Sequence, residues 1–177
     1  MIARQSVPRF FAAASMKASN VNGEGDVQDG NGFIVRLTAD GAAMDSTPFI
    51  EGGKNGVTLN APKGMALVGD TLWVADIDAV RAFHARTGAP IASLEIKGST
   101  FLNDVVAGPD GSVYITDTGV RFNEKGEMSH PGPDRIVQVK GREFKPVAEF
   151  TAGTDPKNAQ SNLEVTGEVR TNEVVLS

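Results

Sequence analysis

With 177 residues, 40% of them apolar, and with 20 glycines and 9 prolines, the chain has the length of one domain and the turn content of an all-β fold. The net charge of −5 comes without a Lys/Arg block, so no nucleic acid partner is expected. Cysteine is absent, which excludes disulfide and thiolate chemistry, and no apolar run reaches the ~20 residues that span a bilayer, so no membrane partner is expected.

The opening stretch, MIARQSVPRFFAAASMKAS, has a short apolar segment at residues 10–14. Pro8-Arg9 interrupts it, and it is too short for the core of a signal peptide, so it reads as a degenerate first strand. Ser19-Asn20 falls where Ala75-Asp76 and Thr116-Asp117 fall later in the chain. A Gly/Asp-rich insertion at residues 22–32 leads into an apolar strand at 33–37 and a turn at Asp40-Gly41. Residues 43–50 are expected as the outer strand of this leading unit.

Next, one unit is written twice. The first copy is APKGMALVGDTLWVADI (61–77) and the second FLNDVVAGPDGSVYITDT (101–118). Met65-Ala66-Leu67 aligns with Val105-Val106-Ala107, and the turn Gly69-Asp70 with Asp110-Gly111. Leu72-Trp73-Val74-Ala75-Asp76 then aligns with Val113-Tyr114-Ile115-Thr116-Asp117. The offset of about 40 residues is the period of a four-stranded propeller blade. Each copy predicts a hairpin, then a third strand and an outer strand, the latter at 90–96 and 146–150. The insertion before the third strand is nearly absent in the first copy. In the second it is long, at 119–133, and is expected to cover or line a central funnel.

After Thr151 the pattern stops, leaving two short strand candidates at 163–169 and 173–176. The expected organisation is a partial β-propeller over 1–150, in units of about 1–53, 54–98 and 99–150, and then a divergent strand pair or tail over 151–177. Propellers close with ~4 to 8 blades, so three blades leave an open ring. A homodimer or a longer parent would complete it, and the exposed faces favour self-association.

The starts Pro62-Lys63-Gly64-Met65 and Asn103-Asp104-Val105-Val106, each followed by a Gly/Asp turn and an aromatic strand, resemble the calcium-dependent six-bladed propellers. That group holds the gluconolactonase, senescence-marker-protein and paraoxonase proteins, with the NHL-repeat propellers related to it. The likeness runs over roughly residues 19–150. It implies one Ca²⁺ in the funnel, held by oxygens from the inner strands. It also implies hydrolysis of a lactone or ester, or binding of a sugar-acid-like ligand, with a carboxylate as general base.

By that resemblance Asn103 matches the funnel Asn ligand, and Asp104 follows it as the candidate catalytic carboxylate. Gln5, in Arg4-Gln5-Ser6-Val7, stands where the family has a Glu ligand and would bring an amide oxygen without charge. Lys63 holds the position in its unit that Asn103 holds in the next, and is a candidate for binding a carboxylate or lactone oxygen; the alternative is a solvated lysine. His130, in the long insertion, is a candidate acid/base group. The alternative function is an NHL-like, non-catalytic scaffold for protein interaction or self-association. An exported, periplasmic or secreted location is the expectation the resemblance carries.

Other residues read as structural. Asn103-Asp104 has an Asx-turn as its alternative. Asp76 and Asp117 recur at one position, as residues that bond backbone, for example that of a neighbouring blade. Trp73 and Tyr114 read as blade packing. His84 reads as exposed, and the acidic groups at Glu24, Asp26 and Asp29 and at Glu124 and Glu127 read as solvated charge.

Overall fold

The computed structural model describes residues 10–15, 28–123 and 127–150, the first of these segments by its backbone alone. Every regular element among them is a strand. In chain order these are β1 (Phe10–Ser15), β2 (Gly32–Leu37), β3 (Ile50–Glu51), β4 (Pro62–Val68), β5 (Thr71–Asp76), β6 (Ala79–His84) and β7 (Pro90–Glu95). They continue with β8 (Leu102–Ala107), β9 (Val113–Asp117), β10 (Arg121–Phe122), β11 (Met128–Ser129), β12 (Asp134–Lys140) and β13 (Glu143–Phe150).

The two sequence copies fold into two four-stranded antiparallel sheets, ordered β4-β5-β6-β7 and β8-β9-β12-β13. A third sheet, β1-β2-β3, precedes them. The hairpin turns of the two copies carry Gly69 and Gly111 at φ 60° and 79°, a conformation that tight turns demand and glycine adopts without steric cost.

Alternation along β5 explains how the sheets stack. Leu72 and Val74 face the first sheet and join Ile34, Ile50, Leu59 and Phe83 in one core. Trp73 and Ala75 point the other way, into a second core with Val80, Leu102, Val105, Val113, Ile115 and Val137. Each fully buried Val, Leu, Ile or Phe among them contributes about 1.5–3 kcal/mol. The sheets therefore stack face to face in chain order, with β4 against both β1 and β8. The described residues form an all-β array of propeller-like blades.

Two further ties lock neighbouring sheets. Asn60 Oδ1 accepts from the Gly30 amide at 2.9 Å. The two-residue turn Ile77-Asp78 joins β5 to β6, and the Ile77 carbonyl accepts from the Leu102 amide at 2.7 Å. Ile77 holds φ 58°, strained for a β-branched residue, and is kept there by burial and by this bond.

Two elements differ from expectation. The outer strand of the leading unit is reduced to Ile50–Glu51, with Ala43 making one isolated bridge to Leu37. Between them the segment forms no ladder but stays tied to β2: the Met44 and Phe49 amides donate to the Arg36 and Ile34 carbonyls, and Arg36 holds Asp45 through two hydrogen bonds of 2.8 Å and stacks on Phe49. The 119–133 insertion is more than a loop: β10 and β11 pair within it.

Candidate functional site

The inner strands of the two full sheets begin with the same irregularity. In one ladder Pro62 pairs with Asp76 and then Met65 with Val74. In the other, Leu102 pairs with Asp117 and then Val105 with Ile115. Each inner strand thus carries one extra residue at its start, a β-bulge that takes side chains out of strict alternation. Lys63-Gly64 fills one bulge and Asn103-Asp104 the other.

The two bulges touch. A Cβ on Gly64 would stand 2.5 Å from the Asp104 Cα and 2.8 Å from the Val105 nitrogen. Only a residue without a side chain permits that approach. Lys63 is half-buried: its Nζ lies 4.1 Å from the centroid of the Phe101 ring and donates to the Ala61 carbonyl at 3.1 Å. A lysine fixed on an aromatic face differs from the freely solvated alternative. Asn103 is exposed.

Asp104 is half-buried. Its amide donates to Thr116 Oγ1 at 3.0 Å, and its Oδ1 accepts from the Val105 amide at 2.8 Å. Burial raises its carboxyl above the ordinary range, and the Val105 bond offsets part of that rise.

The long insertion meets the same end of the sheet. Phe122 packs edge-to-face on Phe101 with ring centroids 5.9 Å apart, and Arg121 donates to the Ser99 carbonyl at 3.2 Å. His130, further along the insertion, is half-buried. The bulges that carry Lys63 and Asn103-Asp104 therefore touch through Gly64, and the insertion that carries His130 lies against Phe101. Gln5 lies outside the described residues, as do Glu24, Asp26, Glu124 and Ser19-Asn20.

The recurrent aspartates bond the segment that enters their own sheet rather than a neighbouring blade. Asp76 Oδ1 accepts from the amides of Asn60 and Ala61 at 3.0 and 2.7 Å, just ahead of β4. Asp117 Oδ1 accepts from the amides of Thr100 and Phe101 at 3.1 and 3.0 Å, just ahead of β8. Each also takes an arginine: Arg81 Nε at 2.9 Å for Asp76, and Arg135 at 2.6 Å for Asp117. Sequence reasoning missed both arginines. Arg81 sits opposite Val74, whereas Arg135 sits opposite Asp117 itself, so the two do not align.

Asn103 and Asp104 offer the amide and carboxylate oxygens that a hard cation takes, but Ca²⁺ needs 6 to 8 of them. No three His, Cys, Asp or Glu side chains among the described residues group as metal ligands do. The described residues alone do not complete a calcium shell.

No protein-family model matches the chain, and no curated protein matches it. Among solved structures, a chain in a crystal structure of a nidogen/laminin complex is similar, at 20% identity and a TM-score of 0.49. The alignment covers 68% of this chain and 41% of that one, so this chain spans less than half of that neighbour's length.

Proposed function

We propose that the end of the blade array formed by Lys63, Asn103 and Asp104 binds a small, oxygen-rich ligand and hydrolyses a lactone or ester. The paired bulge is the observation that carries this reading. It puts the two strand starts that carry Lys63, Asn103 and Asp104 in contact, through Gly64 against Asp104. Lys63 supplies positive charge for a carboxylate or carbonyl oxygen, and Asn103 an exposed amide. Asp104, with its carboxyl raised by burial, is the general base that draws a proton from water. When bound at this end, Ca²⁺ would be held by Asn103 together with oxygens from outside the described residues, Gln5 among them by the resemblance, and would polarise the scissile carbonyl.

The test is turnover of a chromogenic lactone or aryl ester by the folded chain, with Ca²⁺ and with chelator. Turnover that falls on chelation and is abolished in Asp104→Asn supports the reading. A folded chain that hydrolyses neither substrate overturns it.

A second reading, a non-catalytic scaffold, rests on a different surface. Tyr114 lies on the face of the last full sheet turned away from the core, where its hydroxyl accepts from Gln138 Nε2 at 2.9 Å. The outer strand β13 exposes Phe144, Val147 and Phe150. Solution mass by light scattering tests it: association that is lost in Tyr114→Lys favours a scaffold, and a monomer at all concentrations counts against self-association.

A further inference from the structure

An asparagine followed by glycine can react with its own backbone, because glycine places no Cβ in the way of its amide nitrogen. The chain has three such pairs, Asn22-Gly23, Asn31-Gly32 and Asn55-Gly56. The first lies outside the described residues, and the fold treats the other two in opposite ways.

Asn31-Gly32 is held at both residues. Asn31 Nδ2 donates to Asp29 Oδ2 at 2.6 Å, and the Gly32 amide donates to the Leu59 carbonyl at 3.0 Å. Gly32 is buried, and a Cβ there would stand 2.5 Å from Pro62 Cδ. For its nitrogen to reach Asn31 Cγ, the start of β2 would have to leave the segment that enters β4. Asn55-Gly56, by contrast, sits in the loop from β3 to β4, and both residues are exposed. Their φ angles of 51° and 74° are those of the two central residues of a type I′ turn, closed by the Val57 amide donating to the Lys54 carbonyl at 2.9 Å. Among the described residues neither the Asn55 side chain nor the Gly56 amide has a hydrogen-bond partner, and a Cβ on Gly56 would meet nothing within 4 Å. Opening this turn breaks one hydrogen bond at the surface.

We infer that Asn55-Gly56 is a site of spontaneous deamidation in the folded chain, and that the fold protects Asn31-Gly32 from the same reaction. The Gly56 amide nitrogen, once base has taken its proton, attacks Asn55 Cγ. The new N–Cγ bond forms and the side-chain nitrogen leaves as ammonia, taking a proton from water. Water then opens the five-membered imide. Addition at Cγ gives aspartate, and addition at the main-chain carbonyl of residue 55 gives isoaspartate. Either product places a carboxylate beside the Lys54–Glu51 ion pair. Isoaspartate also adds one carbon to the backbone of the turn, which pulls on Val57 in the core it shares with Ile34, Ile50 and Leu59. This chemistry stands apart from the hydrolysis proposed above.

Peptide mapping by mass spectrometry of the folded wild type, aged at neutral and at mildly alkaline pH, tests the site. The peptide with Asn55 should gain the mass of an oxygen in place of an NH, and fragmentation should resolve aspartate and isoaspartate forms. Conversion should run at least about tenfold faster at Asn55 than at Asn31, the ratio that about 1.4 kcal/mol of opening free energy sets. It should quicken with pH, since the attacking nitrogen is the deprotonated amide. In urea the two sites should convert at similar rates, because only the fold distinguishes them. Equal rates in the folded chain, faster reaction at Asn31, or no conversion at Asn55 overturns the inference. So does a preference for Asn55 that persists undiminished in urea.

Discussion

Gly64 on β4 lies against Asp104 on β8 so closely that a single methyl group would meet the Asp104 backbone at 2.5 Å. The two inner strands meet there at close range, and this contact brings the bulge that carries Lys63 against the one that carries Asn103. Gly64→Ala should therefore force the strands apart and cost at least about 1–3 kcal/mol, the range for overpacking a tight site. Urea denaturation measures the loss. Lactone turnover should fall as well, because the bulged residues would no longer adjoin.

Asp104→Asn separates function from stability. Burial raises the Asp104 carboxyl, so folding disfavours its charged form relative to the unfolded chain. A group raised in this way weakens the fold as pH climbs from the unfolded value, near 3.9, through the raised one. The amide has no such penalty. The variant should be as stable as the wild type or more so at pH 7, lose that advantage near pH 3, and show no turnover. Denaturation at the two pH values checks the sign.

Asp76 and Arg81 form a buried pair, with side chains 0% and 10% exposed. Asp76→Ala strands a buried guanidinium and leaves the Asn60 and Ala61 amides without an acceptor. A loss of about 3–5 kcal/mol is expected, as for breaking other buried pairs. Replacing both partners with apolar residues should recover part of it, which a double-mutant cycle would show.

Asp117 ties stability to acid. Burial pushes its carboxyl up, but the Phe101 amide, the Arg135 guanidinium and the Thr100 bonds together hold it below the ordinary value. A lowered carboxyl contributes stability that is present above the unfolded value and lost as pH falls through the folded one. Stability should therefore drop below about pH 4 in the wild type. Arg135→Met, already less stable, should show a shallower acid loss. Fluorescence of the single Trp73 during denaturation follows both.

The blade hairpins were legible because their physics is local. Gly69 and Gly111 mark turns, and β-branched and aromatic residues alternate on either side. The role of Asp76 and Asp117 as backbone acceptors was legible from recurrence alone. Their arginines were not, since Arg81 and Arg135 reach the same carboxylate position from different registers. The short outer strand of the leading unit was not legible: residues 43–49 are held to β2 by separate bonds, such as Arg36 to Asp45 nine residues away, that no strand pattern encodes. Lys63 aligned with Asn103 on sequence, but its stacking on Phe101 depends on how two sheets meet.

The measurement that bears most directly on the Lys63–Asn103–Asp104 site is an amide NMR titration of the folded chain with gluconate, a sugar acid, in the presence of Ca²⁺. Saturable shifts centred on Lys63, Gly64, Asn103 and Asp104, and lost in Lys63→Ala, are the expected result. Shifts scattered elsewhere, or none at millimolar gluconate, would contradict a ligand site at the paired bulges.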